Sequence, residues 1–256
     1  MRIAIAGGTG TVGRHIVSAV RAQGDEPVVL SRARGVDIES GAGLEKALAG
    51  VDAVIDAYGP ATSSAVESMR RFRAATDHLL AAERSSGVRH HVALSIVGAR
   101  QIDAGYYRGK RVQEDLVSSS YPSSGVGWSI LRTTQFHEFA QQMVGRMSFG
   151  PLVAVPTMLA QPVAASEVAA ALASLAAGPP RGLAPDFAGP RVERMPDMVR
   201  RYLSAIGRPA VVVPVALPGR FGRSLRDGSL LPAADAVLGT VAFDDWRRTV
   251  RSVGSI

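Results

Sequence analysis

Apolar positions change their period along this chain, and each change marks an element. Residues 2–6 form a short run of apolar and β-branched residues, which predicts a strand; Gly7-Gly8-Thr9-Gly10 closes it. From Thr11 onward Val12, Ile16, Val17 and Val20 recur at helical spacing, and Gly24 ends that helix. Further strands are predicted at 27–30, 36–38, 51–57, 90–94 and 127–131, with helices at 44–48, 63–86 and 106–119. The 63–86 helix carries Val66, Met69, Phe72, Ala75 and Leu79 on one face. Strands alternating with helices over about 130 residues imply an α/β fold with a doubly wound, Rossmann-like parallel sheet.

Beyond Thr133 the pattern loosens. A strand is expected at 153–155, a helix at 166–177, a break at Gly178-Pro179-Pro180, a helix at 197–206 and a strand at 210–215. The expected organisation is a doubly wound domain over 1–150 and a smaller C-terminal substrate lobe over 151–256. That lobe packs on the carboxyl edge of the sheet and adds some sheet and substrate-pocket elements. In such sheets the ligand crevice lies outside the carboxyl ends of the strands.

The turn after the first strand carries the first chemistry. Gly7, Gly10 and Gly13 recur every three residues between a strand and a helix. The first glycine permits a tight turn, the second lets backbone approach a pyrophosphate, and the third lets helix pack on strand. The helix N-terminus then offers free N–H groups to phosphate. Inside a complete βαβ unit this pattern indicates a nicotinamide dinucleotide. The end of the second strand reads Leu30-Ser31-Arg32, with Arg34 close behind. An acid there would hold a ribose 2′-hydroxyl, whereas a guanidinium clamps a 2′-phosphate and Ser31 adds a donor, so NADPH is expected over NADH.

Composition narrows the remaining classes. With 46% apolar and 20% charged residues over 256, the chain is a folded globular one. The net charge of +7 invites nucleic acid, and 27 of the 29 basic residues are arginines, Lys46 and Lys110 being the two lysines. They are scattered, apart from Arg70-Arg71-Arg73, Arg200-Arg201 and Arg247-Arg248-Arg251, whose helical spacing suits a solvated face. No aromatic interleaving, helix-turn-helix or zinc pattern accompanies them, so no specific nucleic-acid partner is expected. There is no cysteine, and the five histidines lack ligand spacing with carboxylates, so no metal is expected. Residues 163–177 are apolar but short and contain Glu167, so no membrane span is expected. A cytoplasmic monomer or homodimer is the expectation.

The segments Gly-Gly-Thr-Gly-Thr-Val-Gly at 7–13, Val36-Asp37-Ile38, Val51 to Ala57, Leu94 to Gly98, Tyr106-Tyr107-Arg108-Gly109-Lys110 and Ile130 to Phe136 stand in one order. In that order the chain resembles the atypical, NmrA-like branch of the short-chain dehydrogenase/reductase superfamily. The resemblance covers about the first half of the chain; the tail shares it loosely, through Gln161-Pro162-Val163. It implies phosphate contacts at Gly7, Thr9, Gly10, Thr11, Val12 and Gly13, with the 2′-phosphate at Ser31 and Arg32. It implies adenine contacts at Asp37 and Ile38 and an adenosine-ribose border at Ala57, Tyr58 and Gly59. Ser95, Lys110, Thr133, Gln135 and Phe136 would border the nicotinamide half.

Ser95, Tyr106 and Lys110 are the catalytic candidates. Tyr106 stands four residues before Lys110, on one helix face. A phenol titrates too high to exchange protons freely at neutral pH, and an adjacent ammonium favours its phenolate. The family's usual serine position holds Val97, two residues beyond Ser95, and Tyr107 is the alternative ring. The expected activity is NADPH-dependent reduction of a small, largely apolar carbonyl, quinone or related conjugated compound. The alternatives are a non-catalytic NADP(H)-sensing regulator and an isomerase or lyase on the same scaffold.

Overall fold

A computed structural model describes residues 1–120 and 126–253, the side chains of residues 251–253 lying outside the described set. In chain order its elements are β1 (Arg2–Ala6), α1 (Thr11–Ala22), β2 (Glu26–Leu30), α2 (Leu44–Leu48), β3 (Ala53–Asp56), α3 (Ala65–Ser86), β4 (His90–Ile96), α4 (Gly105–Ser120) and β5 (Gly127–Thr133). There follow α5 (Phe139–Arg146), β6 (Ser148–Phe149), β7 (Leu152–Pro156), β8 (Leu159–Ala160), α6 (Ala165–Ala177), β9 (Gly182–Leu183) and β10 (Phe187–Ala188). Last come β11 (Glu193–Arg194), α7 (Met195–Ala205), β12 (Val211–Val215), α8 (Gly219–Ser224), β13 (Val237–Leu238) and α9 (Phe243–Val253).

The chain divides into two units, Met1–Arg132 with Ala165–Pro185, and Thr133–Ala164 with Asp186–Ile256. This differs from a single cut after residue 150. The reason lies in α6, whose buried face of Val168, Ala169, Leu172, Ala173 and Ala176 packs on α1 and so returns to the first unit. The small side chains let the two helices approach closely, and Ile16 and Val20 of α1 are fully buried. Each such burial is worth about 1.5–3 kcal/mol.

In the first unit the strand order is β2-β1-β3-β4-β5, with β9 beside β5. β1 pairs in parallel with both β2 and β3, and β3 with β4. Four of the five β1 residues are fully buried, as expected for a central strand covered by helices on both faces. The strand expected at 36–38 is absent. Asp37 Oδ1 accepts from the Glu39 N–H at 3.0 Å, turning the backbone after a lone bridge to Ala42, while Val36 and Ile38 plug the core beside Leu44 and Leu48. The strand order reverses at β1, and in such sheets ligands bind beyond the carboxyl ends of the strands at that point.

In the second unit β7 pairs in parallel with β12 and antiparallel with β6, and β11 pairs antiparallel with β8. α7 buries Met195, Met198, Val199, Tyr202 and Leu203. Its neighbour α9 brings Phe243 and Trp246 against His137 and Tyr202 in an aromatic cluster. Helices α5, α8 and α9 were not predicted from the sequence. α9 is held by this cluster and by Asp244–Arg247 and Asp245–Arg248 pairs, which show no long apolar period. Among the described residues no helix is long and apolar enough to cross a membrane, and no acidic, histidine or cysteine cluster could hold a metal ion.

Candidate functional site

The loop from β1 to α1 meets the steric demands of a phosphate cradle. Gly7 has φ +76°, and a Cβ there would stand 2.7 Å from the Ala57 carbonyl oxygen at the end of β3. A Cβ on Gly13 would lie 2.0 Å from the Gly7 carbonyl oxygen, so helix and loop can meet only through glycine. Gly10 differs. It is exposed, has ordinary backbone angles as the N-cap of α1, and a Cβ would meet only Gly7 O, at 3.2 Å. No side chain caps α1 and no acid stands in its first turn, so the N–H groups of Thr11, Val12 and Gly13 have no intrahelical partner and face outward with the dipole. Thr9 is exposed beside them.

At the end of β2, Ser31 is extended and leads into a single 3₁₀ turn, Arg32–Arg34, with both arginines exposed. Neither guanidinium has a hydrogen-bonded partner among the described residues. Glu39 lies within electrostatic reach of Arg32, and it is already occupied. Arg71 holds it with two bonds and the Tyr58 hydroxyl donates to it at 2.6 Å, which together keep its carboxyl below the usual range despite burial. Burial first, then Glu39, pushes the Tyr58 phenol up. Asp37 spends one oxygen on its own turn and Ile38 sits in the core, so the Asp37–Ile38 pair forms a wall more than a set of free donors. Ala57 and Tyr58 are half-buried and Gly59 is exposed.

Tyr106 and Lys110 lie together on α4. The half-buried Tyr106 ring packs edge-on against Phe72, and its hydroxyl comes within 2.9 Å of where a Gly59 Cβ would stand. That hydroxyl has no hydrogen-bonded partner among the described residues. Burial, then the charges of Asp56 and the neighbouring phenols, push the Tyr106 phenol above its ordinary range, so it stays protonated. Lys110 is 2% exposed, and all three of its protons are engaged: by Leu94 O at 2.6 Å, Gln113 Oε1 at 2.9 Å and Tyr58 O at 3.3 Å. Its Nζ stands 5.7 Å from the Tyr106 ring centre and 4.6 Å from that of Phe72. The expectation that Lys110 favours a Tyr106 phenolate is therefore not met in this arrangement. The ammonium turns toward carbonyls, and the phenol shifts the other way.

Gln113 links the lysine to a buried acid. Its Nε2 donates to Asp56 Oδ2 at 2.7 Å, and the other oxygen of Asp56 accepts from the Tyr58 N–H at 3.0 Å. Burial brings the Lys110 ammonium down to about 8, against the opposite pull of Asp56 and Glu114. Between pH 8 and 10.5 the unfolded chain keeps a Lys110 proton that the folded chain has released, so this group makes stability rise with pH across that window. With two lysines in the chain, carbon-13 spectra of the lysine ε-carbons are simple to assign. The Lys110 signal should titrate near pH 8, and Gln113→Leu should move the midpoint lower by removing an acceptor for the charged form. A midpoint above 10 would contradict the buried placement.

Ser95 is drawn into a different network. Its hydroxyl donates to Glu114 Oε1 at 2.7 Å, and Arg132 grips the same carboxylate through 2.6 and 2.8 Å bonds. Burial pushes the Glu114 carboxyl up, but Arg132 and Ser95 outweigh it and leave it below its ordinary range. Ser95 thus ties β4 to α4, its proton already placed, and Val97 is buried apolar core. Glu114, Arg132, Asp56, Gln113 and Glu39 are the functional neighbours that sequence reasoning missed. Glu114 follows Lys110 by four residues, but spacing alone does not reveal that it turns to Ser95.

The three remaining candidates fall in the second unit. Thr133 is 2% exposed, and Phe136 is half-buried in a bridge to Val163. Gln135 is buried with both side-chain amide atoms lacking a partner, a group that a ligand hydroxyl or amide would satisfy.

A family model described as NAD(P)H-binding matches residues 7–179. The chain belongs to the NAD(P)H-binding family. Solved structures similar to this NAD(P)H-binding protein include the UDP-glucose 4-epimerase of Thermus thermophilus in complex with NAD, at 20% identity over 100% of both chains, TM-score 0.73. Bacillus cereus UDP-N-acetylglucosamine 4-epimerase aligns at 16% identity over 99% of this chain and 96% of that one, TM-score 0.75. A short-chain dehydrogenase/reductase superfamily protein from Agrobacterium tumefaciens with bound NAD aligns at 17%, over 99% and 97%, TM-score 0.69. No curated protein matches the sequence. The fold shared with these structures is a Rossmann-like α/β fold, and the family model makes it a scaffold for a nicotinamide cofactor. The uncapped α1 terminus and the open face at Gly10 both fit such a group.

Proposed function

We propose that this NAD(P)H-binding protein is an NADPH-dependent reductase of a small, largely apolar carbonyl or quinone-type compound. The observation that carries the reading is Tyr106: a protonated phenol without a hydrogen-bonded partner among the described residues, beside the backbone of Gly59 and one helical turn from buried Lys110. A nicotinamide dinucleotide, when bound, supplies the hydride. Gly7, Thr9, Gly10 and the first turn of α1 hold its phosphates, Ser31 and Arg32 its 2′-phosphate, and Asp37, Ile38, Ala57 and Tyr58 wall its adenosine. Tyr106 donates its proton to the substrate oxygen as negative charge develops there. Lys110, pinned by Leu94 O, Tyr58 O and Gln113, ties β4 and the backbone at Tyr58 to the helix that carries this phenol. Consumption of NADPH with a panel of quinones and aldehydes tests the reading, and tight binding without turnover on any of them would refute it.

A second reading, a cofactor-sensing protein without chemistry, draws on the commitments of Ser95 to Glu114 and of Lys110 to three acceptors. The free Tyr106 hydroxyl weighs toward catalysis.

Cofactor preference follows from the unpartnered arginine turn. NADPH should bind about tenfold or more tighter than NADH, since a charge-assisted contact is worth about 1.5–3 kcal/mol. Arg32→Ala should erase most of that difference, with Arg34 retaining part of it. Calorimetry with both cofactors reads it directly, and equal affinities in the unaltered protein would sink the 2′-phosphate assignment.

A further inference from the structure

The second unit contains a cavity of about 290 Å³ at the head of α7, where β7 and β12 end and β8 begins. Arg194, Arg200 and Arg226 line it, with Asp197 as the one acid among its lining residues, which leaves a net charge of +2 on its wall. Structure fixes this gathering. Arg194 pairs with Leu159 across the β11–β8 ladder, and the Leu159 N–H donates to Leu225 O at 2.8 Å, which brings the backbone next to Arg226 to the same place.

Two of the arginines are partly satisfied within the protein. Arg200 donates to Asp197 at 2.6 Å and Arg226 to the Leu217 carbonyl at 3.0 Å. The Arg194 guanidinium has no hydrogen-bonded or ionic partner among the described residues. Arg194 is also the N-cap of α7, at the positive end of the helix dipole, and contributes no side-chain cap bond. A cation there opposes helix stability, since N-termini favour acids. Three arginines lining one cavity make sense if an anion joins them, because the planar fork matches phosphoryl oxygens two at a time.

The rest of the wall is apolar apart from Thr157, whose hydroxyl donates to Val215 O. Met158, Leu159, Pro196 and Pro214 line it, so the cavity offers apolar surface as well as charge. Its volume is close to the lower limit for small-molecule pockets, roughly 300 Å³. We propose that this cavity binds a phosphomonoester of a small apolar alcohol, with Arg194 and Arg226 on the phosphoryl group and the carbon skeleton against Met158 and Pro214.

Calorimetry with phenyl phosphate at saturating NADPH tests the proposal, the cofactor keeping the probe from the glycine loop. Phenyl phosphate should bind, and Arg194→Ala and Arg226→Ala should each weaken it about tenfold, one charge-assisted contact being lost. Arg191→Ala removes the same charge from an exposed site outside the cavity and should leave affinity unchanged. The arginines concerned are exposed, and circular dichroism verifies that the variants fold. Absence of binding, equal affinity in the Arg194 and Arg226 variants, or an equal loss in Arg191→Ala would each overturn the site. Inorganic phosphate binding as tightly as phenyl phosphate would overturn the assignment to an ester.

Discussion

Tyr106→Phe is expected to cut turnover about a hundredfold or more while NADPH affinity barely moves, because general acid catalysis is typically worth 10²–10⁴-fold and acts only as charge develops. The substitution is structurally mild. The ring keeps its edge contact with Phe72, and the hydroxyl removed has no hydrogen-bonded partner among the described residues to leave unsatisfied. A loss of activity would therefore report the proton and not the packing. Lys110→Met should behave otherwise. Its ammonium holds Leu94 O, Tyr58 O and Gln113, so its loss should lower turnover and thermal stability together. Tyr107→Phe serves as the comparison and should be nearly silent in turnover. Steady-state kinetics on the three variants separates the cases. Full activity in Tyr106→Phe with loss in Tyr107→Phe would place the acid on the other ring.

Gly10→Val should abolish cofactor binding while the protein stays folded. The residue's backbone angles are open to any side chain, and the Gly7 carbonyl at 3.2 Å is the close neighbour its Cβ would meet. The branches of valine would instead fill the open face above the α1 N-terminus, where phosphate needs the bare backbone. Gly13→Val makes the contrast. Its Cβ would fall 2.0 Å from Gly7 O and 2.6 Å from Gly8 Cα, so the βαβ unit itself should fail to pack. Circular dichroism beside an NADPH titration distinguishes the two results. Unchanged affinity in Gly10→Val would show that this loop does not hold phosphate.

What the sequence alone determined is local or periodic. The alternation of strands and helices, the glycines at 7, 10 and 13, and the four-residue step from Tyr106 to Lys110 are read directly, because each depends on backbone sterics or on 3.6 residues per turn. The matching NAD(P)H-binding family and the parallel sheet agree with that reading. Tertiary structure decided what spacing cannot express. Residues 36–38 became a turn since Asp37 bonded its own backbone, and α6 joined the first unit since its small residues fit α1. Lys110 faces Leu94 O and Gln113 instead of the Tyr106 hydroxyl, and Ser95 gives its proton to Glu114, partners 16, 3 and 19 residues away along the chain. Such choices rest on which buried donors find acceptors once water is excluded, and that depends on contacts between elements far apart in sequence.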